Sequence, residues 1–315
     1  MNRKIRVGVI GVGSLGQHHA RIYSELEQAE LVGVCDASAD RAAEIAAKFK
    51  TRAFTSPDEL AAHIEAASVV VPTDLHHAVA GRLMERGLHL LIEKPIAATT
   101  AEAESLVATA RRHNVILQVG HIERFNPVLA FLEQHAVAPR FIEAHRLAPY
   151  PPPREGLHPR GTEVSVVLDL MIHDLEIILH LVRSPVKQVH AVGVPVLSPT
   201  EDIANVRILF ENGCVANITS SRISPERMRK IRVFLSDAYI SLDYQNQSGE
   251  LFRLTPTGIA REEVPIEKGE PLATELRSFV SCVARRDQPV VSGEHAAEAL
   301  KLAVEITQRI QAGAS

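Results

Sequence analysis

The chain has 315 residues, a formal net charge of -4 at pH 7, 46% hydrophobic and 23% charged residues. At roughly 150 residues per domain, this length predicts two domains with cores of their own. The near-average composition excludes extended disorder, and the slight acidic excess argues against a general nucleic-acid-binding surface. Three cysteines are typical of a protein of the reducing cytoplasm, which we expect here. No apolar run approaches the roughly 18 residues of a membrane span, so no membrane association is expected.

Residues 1–122 alternate short apolar runs with helical patterns. The predicted strands are Ile5–Ile10, Leu31–Cys35, Ser68–Val71, His89–Ile92 and Val115–Val119. The predicted helices between them include Asp40–Phe49, His76–Arg86 and Thr100–His113. Strands rich in Val, Ile and Leu with little alternation are typical of a sheet covered on both faces. This part is therefore predicted to be a doubly wound α/β domain with a parallel sheet.

A glycine-rich segment, Gly11-Val12-Gly13-Ser14-Leu15-Gly16, follows the first predicted strand and opens a helix. In this context the spacing G-x-G-x-x-G predicts a turn that lets a dinucleotide pyrophosphate approach the backbone at a helix N-terminus. Asp36 ends the second predicted strand, where a carboxylate binds the adenosine ribose and repels a 2′-phosphate. NAD is therefore expected, and NADP less so, although Arg41 lies near enough to bind a phosphate. The alternative is a chance glycine turn, with Asp36 capping the next helix.

Residues 123–315 have a different pattern. One long apolar helix is expected at Val166–Val182 and two more at Leu272–Arg285 and Ser292–Ala312. Between the first and the second of these lie predicted strands at Val189–Val196, Asn205–Phe210, Cys214–Ser220, Lys230–Leu235 and Tyr239–Asp243. Turn residues such as Glu211-Asn212-Gly213 separate them in hairpin fashion. The second domain is predicted to be α+β with an open, largely antiparallel sheet.

Two short motifs carry candidate chemistry. Glu93-Lys94-Pro95 ends a predicted strand, where doubly wound sheets bind their ligands, and an ammonium there favours an alkoxide. Asp169 and His173 are four residues apart on a predicted helix, so they share one face. A carboxylate beside an imidazole makes a suitable general base for removing a hydroxyl proton. The alternatives are a surface Glu–Lys pair capped by proline and a structurally hydrogen-bonded Asp–His pair.

Together these residues resemble the Gfo/Idh/MocA oxidoreductase family over nearly the whole chain. The resemblance includes Val71-Pro72-Thr73 followed by His76, besides the glycine turn and the two motifs above. It implies an N-terminal NAD-binding Rossmann domain and a C-terminal domain whose sheet forms contacts in a homodimer or homotetramer. It also implies that Lys94 and His173 are the catalytic pair and Asp169 their active-site partner. The residues that would line the cofactor are Pro72, Thr73, His76, Glu93 and Lys94.

Two further segments, Gly120–Pro127 and Ser221–Pro225, are similar to those of family members that oxidise the 3-hydroxyl of UDP-N-acetylglucosamine. Such a substrate carries a pyrophosphate, for which arginines offer paired donors. The arginines considered are Arg124, Arg146, Arg154, Arg222 and Arg229. The substrate contacts expected from this resemblance are Arg124, Asn126, Tyr150 and Arg222. The alternative is that the arginines support the fold or subunit contacts.

Other functions have weaker support. The 15 histidines include no His-Glu-x-x-His and the cysteines no Cys-x-x-Cys, so no metal site is expected. The chain has no G-x-S-x-G segment, so a serine hydrolase is not expected. Two alternatives stay open: a dehydrogenase of a free aldose, inositol or another compound, and a sensor that binds NAD without turnover. The expected partners are a small-molecule sugar or nucleotide sugar, and no nucleic acid.

Overall fold

A computed structural model describes residues 3–136, 138–152 and 161–313. The chain divides into two compact units. The first comprises Met1–Ile122 and Glu270–Ala297, and the second comprises Glu123–Gly269 and Glu298–Ser315. The first change of unit lies where the sequence predicts a domain boundary. Glu270–Ala297, which the sequence places in the second domain, returns to the first unit.

The strands and helices follow in chain order. The strands are β1 Ile5–Ile10, β2 Ala29–Cys35, β3 Arg52–Phe54, β4 Ala66–Val69, β5 His89–Glu93, β6 Leu117–Gly120, β7 Phe141–Leu147, β8 Val186–Val194, β9 Ile203–Phe210, β10 Val215–Ser221, β11 Met228–Phe234, β12 Ala238–Asp243, β13 Ser248–Thr255 and β14 Gly258–Glu263. The α-helices are α1 Gly16–Glu25, α2 Ala39–Phe49, α3 Pro57–Ala61, α4 Thr73–Glu85, α5 Thr100–Arg112, α6 Pro127–His135, α7 Ile172–Val182, α8 Pro271–Arg285 and α9 Gly293–Gly313. Within the described ranges, none of the helices is long and apolar enough to cross a membrane.

The first unit is built on a parallel sheet with the strand order β3-β2-β1-β4-β5-β6. The order reverses between β1 and β4, which places the switch point of a doubly wound sheet beside the glycine turn that follows β1. Strands β1, β4 and β5 consist almost wholly of buried residues. Helix α5 begins with a capping box in which Thr99 and Glu102 satisfy each other's backbone N–H groups. These features confirm the predicted fold of this part.

Helix α8 explains why Glu270–Ala297 belongs to the first unit. Its Leu276 and Phe279 are fully buried in the core that contains Val7 and Val9 of β1 and Tyr23 of α1. Burying one such side chain contributes about 1.5–3 kcal/mol, so the apolar face of α8 is sufficient to hold this segment there. Sequence order alone gives no sign of this return.

The second unit is built on a mixed sheet with the strand order β14-β13-β12-β11-β7-β10-β9-β8. Strands β7 and β10 pair in parallel, and the other neighbours pair antiparallel. The predicted largely antiparallel sheet is therefore confirmed. The sequence prediction omits β7, β13 and β14. Strand β7 does alternate in burial, but Arg146 occupies one of its buried positions and hides the pattern.

The predicted helix Val166–Val182 differs from the observed one in its first turns. Residues Val167–Met171 form a π-helix, and the α-helix α7 begins at Ile172. Single π-turns within helices are rare and frequently occur at functional sites. Here the turn contains Asp169, one of the residues singled out from the sequence.

Candidate active site

In the glycine turn of the first unit, each glycine has a different structural role. Gly11 has a φ of 85°, and a Cβ there would collide with the carbonyl oxygen of Val70. A Cβ on Gly16 would collide with the carbonyl oxygen of Gly11, so this glycine permits the tight entry into α1. A Cβ on Gly13 would meet nothing within 4 Å. The open space at Gly13 fits a diphosphate group that approaches the backbone at the start of α1.

Asp36 directly follows β2 and is tied to this turn. Its Oδ2 accepts the Val12 N–H at 2.9 Å, and its Oδ1 accepts the Ser38 N–H at 3.0 Å. Each carboxylate oxygen has further lone pairs for a ribose hydroxyl. Arg41 is engaged nearby, because its Nε donates to the Val12 carbonyl at 2.8 Å and its Nη1 to Glu44 at 2.8 Å. The turn, the open space and this carboxylate together fit a dinucleotide such as NAD.

The Glu93-Lys94-Pro95 turn lies at the carboxyl end of β5, and the Lys94–Pro95 peptide bond is cis. The Glu93 carboxylate faces His19 Nε2 at 3.1 Å through Oε1 and accepts the Lys94 N–H at 3.3 Å through Oε2. Lys94 is partly exposed. Glu93 and Lys94, which are predicted to act at the cofactor, therefore lie at the strand ends where doubly wound sheets bind ligands.

His76, in the first turn of α4, holds this turn from a second side. Its Nδ1 lies 2.9 Å from the Pro95 carbonyl oxygen, and its Nε2 lies 3.0 Å from the Val71 carbonyl oxygen. The side chain is buried, and burial lowers its pKa. Pro72 caps α4 and Thr73 begins it. A direct contact between these residues and a cofactor stays a prediction, since the observed partners of His76 are main-chain oxygens.

In the second unit, Asp169 and His173 project from the π-turn and from the start of α7, and both are partly exposed. The Asp169 carboxylate lies against Gly161, where a Cβ would collide with it. The residue after His173 is anchored in the interior. Asp174 receives two bonds from Arg146, from Nε at 2.8 Å and from Nη2 at 3.1 Å. The helix that carries His173 is thus held by a bidentate salt bridge.

The arginines expected to bind a pyrophosphate have mostly structural partners. Arg124, 3% exposed, donates to Glu176 at 2.7 Å and to Glu133 at 3.2 Å. Arg222, also 3% exposed, donates to Asp202 at 2.9 Å and to several neighbouring oxygens. Such contacts are expected if the arginines support the fold, which is the alternative stated in the sequence analysis. They argue against Arg124 and Arg222 as substrate contacts, because a buried guanidinium that gave up its carboxylate would leave that charge unpaired.

The remaining predicted substrate residues differ in exposure. Asn126 is buried, caps α6 and donates to Glu123 and the Tyr244 carbonyl. Tyr150 is partly exposed, with its hydroxyl 3.5 Å from the Leu197 carbonyl oxygen. Arg229 pairs with Glu123 at 3.3 Å and keeps 49% of its side chain exposed. Arg154 lies outside the described residues.

Sequence reasoning missed a buried polar line beside Glu93. It consists of His19 and Tyr23 of α1 and Ser68 of β4. All three are fully buried. A serine within an apolar strand is the only local signal for this line, and its partners come from segments distant in sequence.

Comparisons with known proteins match both halves of the chain. Residues 5–121 match the family model for the Gfo/Idh/MocA oxidoreductases with an NAD-binding Rossmann fold. Residues 137–241 match a C-terminal domain model of the same family. The UDP-N-acetylglucosamine 3-dehydrogenase of Acidithiobacillus ferrooxidans is 38% identical over 98% of both chains. This chain belongs to the Gfo/Idh/MocA family.

A solved structure of this enzyme and one further relative refine this placement. A solved structure of the Acidithiobacillus ferrooxidans enzyme superimposes with a TM-score of 0.92 at 38% identity and covers 98% of both chains. The myo-inositol 2-dehydrogenase of Thermotoga maritima is 26% identical over 95% of this chain and 94% of its own. The predicted family, fold class and oxidoreductase activity with NAD are thereby confirmed, and the Gfo/Idh/MocA resemblance extends through both units.

Proposed function

We propose that this chain is an NAD-dependent dehydrogenase that oxidises a sugar secondary hydroxyl, specifically the 3-hydroxyl of UDP-N-acetylglucosamine. The observation that carries the proposal is the 38% identity, over 98% of both chains, to the Acidithiobacillus ferrooxidans enzyme that has this name. The likeness extends over the second unit as well as the first. It therefore supports a shared substrate class and not merely a shared cofactor.

Oxidation of an alcohol removes a hydride from carbon and a proton from oxygen. NAD, when bound, accepts the hydride. In the proposal, the His173 imidazole removes the hydroxyl proton and the Asp169 carboxylate orients that imidazole. The Lys94 ammonium stabilises negative charge that develops on the oxygen. The partial exposure of all three side chains supports these roles.

The dinucleotide is assigned to the carboxyl ends of the first unit's strands. Its diphosphate would lie at the glycine turn, and its adenosine ribose at Asp36. The residues proposed to contact it are Gly11, Gly13, Ser14, Leu15, Gly16, Asp36, Pro72, Thr73, His76, Glu93 and Lys94. The open space at Gly13 and the free lone pairs of the Asp36 carboxylate support this assignment.

The substrate pyrophosphate needs a cation that is still accessible. Among the described arginines considered for this role, we assign it to Arg229 in place of Arg124 and Arg222. Arg229 is half exposed and lies beside Arg146 across β11 and β7. Arg146 in turn holds Asp174, the residue after His173. Arg229→Ala should therefore raise the KM for a nucleotide sugar, with little change in the Kd for NADH.

A second substrate class is a polyol ring. The 26% identity to the myo-inositol 2-dehydrogenase of Thermotoga maritima favours it, because that relative also spans 95% of this chain. Inositol offers a secondary hydroxyl but no pyrophosphate. An NAD-binding sensor without turnover is the remaining alternative. The intact set of Lys94, Asp169 and His173 speaks against it.

We also propose a homodimer or homotetramer formed through the second unit's sheet. Large apolar side chains are exposed on its outer strands, including Val192 at 67%, Leu254 at 75% and Ile259 at 76%. Sedimentation of the parent and of Val192→Glu would test this, with a shift towards monomer expected. The cytoplasm is the proposed compartment, which the three buried cysteines without a disulfide support.

The experiment follows reduced nicotinamide absorbance with purified protein and NAD. UDP-N-acetylglucosamine, free N-acetylglucosamine and myo-inositol are compared at equal concentrations. The proposal expects turnover with the nucleotide sugar and much less with the other two. Turnover with inositol alone would replace the substrate and keep the enzyme class. NADH binding without turnover on a broad sugar panel would support the sensor.

A further inference from the structure

A line of buried hydrogen bonds in the first unit ends at Glu93. The Tyr23 hydroxyl lies 2.8 Å from Ser68 Oγ. Ser68 Oγ lies 3.0 Å from His19 Nδ1, and His19 Nε2 lies 3.1 Å from Glu93 Oε1. Tyr23 and His19 are one helical turn apart on α1, whereas Ser68 is in β4 and Glu93 ends β5. The line thus joins the helix after the glycine turn to the strand before Lys94.

The chemistry at the two ends of this line determines which atom donates in each hydrogen bond. The Glu93 carboxylate can only accept, so His19 Nε2 carries the proton of that bond. In the neutral imidazole Nδ1 is then an acceptor, and the Ser68 hydroxyl donates to it. The Tyr23 hydroxyl donates to Ser68 in turn, and burial, which raises the Tyr23 pKa, keeps that phenol protonated. Every donor has one acceptor, as expected of a cooperative buried network.

Glu93 is also held on its other sides. Its Oε2 accepts the Lys94 N–H at 3.3 Å. A Cβ on Gly120 of β6 would lie 2.9 Å from the Glu93 carboxyl atoms, so a glycine leaves the room that this carboxylate fills. The His19 Nε2 contact at 3.1 Å favours one orientation of the carboxylate within this space.

We propose that His19 is a positioning residue that orients Glu93 and, through it, the Lys94 turn towards the dinucleotide. The inference rests on the proposed function, because it assigns Glu93 and Lys94 to the cofactor. A purely structural role for His19 is the alternative. It predicts a loss of stability without a selective loss of cofactor affinity.

Two substitutions of His19 separate these roles. Glutamine places an amide N–H near the position of Nε2 and can still donate to Glu93, whereas asparagine reaches Ser68 but not Glu93. We expect His19→Asn to raise the Kd for NADH roughly tenfold or more, the scale of a hydrogen bond to a charged group. His19→Gln should restore most of the affinity. NADH fluorescence titration measures this without any substrate.

His89→Gln is the matched control. His89 is also buried, but it lies at the opposite end of β5 and accepts the Ile116 N–H at 2.8 Å. Its loss should lower the Tm and leave the Kd for NADH unchanged. A second variant, Ser68→Ala, removes the donor to Nδ1 with little change in volume. It should weaken NADH binding in the same direction as His19→Asn, by a smaller factor.

The double variant His19→Asn with Glu93→Gln completes the test. If His19 acts through Glu93, the double variant binds NADH no more weakly than Glu93→Gln alone. Additive losses would overturn the inference, as would parental Kd values in both His19→Asn and Ser68→Ala. A parent that binds NADH but oxidises no sugar would contradict the proposed function and leave this inference standing. A parent that binds no NADH would overturn both.

Discussion

The two candidate catalytic side chains are each adjacent to an anchored acid, but the anchors differ in kind. In the first unit, Glu93 beside Lys94 is held by His19, which belongs to a line of buried side-chain hydrogen bonds. In the second unit, Asp174 beside His173 is held by the two nitrogens of the buried Arg146. The first anchor depends on hydrogen bonds with defined donors and acceptors, and the second depends on an ion pair.

This difference has consequences for how each region responds to change. Removing one member of the hydrogen-bonded line should cost about 0.5–1.5 kcal/mol for a bond between neutral groups and about 1.5–3 kcal/mol for the bond to the Glu93 carboxylate. A buried ion pair that loses one partner leaves an uncompensated charge, which costs about 3–5 kcal/mol. The first anchor therefore tunes orientation, and the second is also needed for folding.

The largest expected effects are on catalysis. Lys94→Met and His173→Ala should each lower kcat/KM by roughly 10²–10⁴-fold, because each removes a group that acts on the reacting oxygen. The Kd for NADH should stay close to the parent value in His173→Ala. Steady-state kinetics with the substrate found above measures this, with the exposed His190→Ala and Lys301→Met as controls. Parental turnover in His173→Ala would remove His173 from the mechanism.

The ionic anchor should give the largest stability effect. Arg146→Met removes the ion-pair partner of the buried Asp174 carboxylate and leaves Glu123 with the half-exposed Arg229, so it should cost about 3–5 kcal/mol in urea unfolding. The control is Arg232→Met, since Arg232 pairs with Glu143 in the same sheet at 43% exposure. An exposed pair contributes about 1 kcal/mol or less. Equal losses in the two variants would contradict the distinction between the anchors.

Cofactor selectivity tests the glycine-turn region. Asp36→Ala removes the carboxylate that would bind the ribose hydroxyls and repel a 2′-phosphate. A bond to a charged group contributes about 1.5–3 kcal/mol, so the preference for NAD over NADP should fall roughly ten- to hundredfold. Measuring kcat/KM for both cofactors checks this. An unchanged ratio would mean that Asp36 acts only through Val12 and Ser38.

The smallest effect, the dependence of stability on pH, has opposite signs at two buried glutamates. Burial, with the nearby Glu93 charge, raises the Glu275 pKa well above its usual 4.5, and neither Glu275 oxygen has a hydrogen-bond partner among the described residues. The unfolded chain loses this proton first, so stability falls as pH rises above about 4.5. Glu275→Gln should reduce that decline by up to about 1.4 kcal/mol per pH unit.

Glu123 is the counterpart in the second unit. Burial alone would raise the Glu123 pKa, but Arg146, together with Arg229 and Asn126, holds it below its usual 4.5. The contribution of Glu123 is therefore present above that pH and is lost as pH falls through the lowered value. Glu123→Gln should therefore lose stability at neutral pH and converge with the parent in acid. Urea unfolding from pH 2 to 8 measures both variants, below pH 4.5 for Glu123→Gln and above it for Glu275→Gln. Slopes of the same sign would contradict this contrast.

Features that depend on local pattern could be predicted from the amino-acid sequence. The apolar runs predict five of the six parallel strands but not the short β3, and the spacing of Gly11, Gly13 and Gly16 predicts a turn whose sterics the structure confirms. The position of Asp36 after β2 and of Lys94 after β5 follows from the same pattern. These predictions succeed because strand ends and tight turns are decided by neighbours along the chain.

Which polar groups contact one another became apparent only in the folded chain. It joined His19 to Ser68 and Glu93, returned α8 to the first unit's core, and placed Arg124 and Arg222 in buried ion pairs where the sequence favoured substrate contacts. The π-turn at Asp169 was equally invisible in the apolar pattern. An arginine or histidine has the same local sequence signal whether it binds a ligand or a buried carboxylate. Its role is set by partners distant in sequence, because an interior charge must be paired.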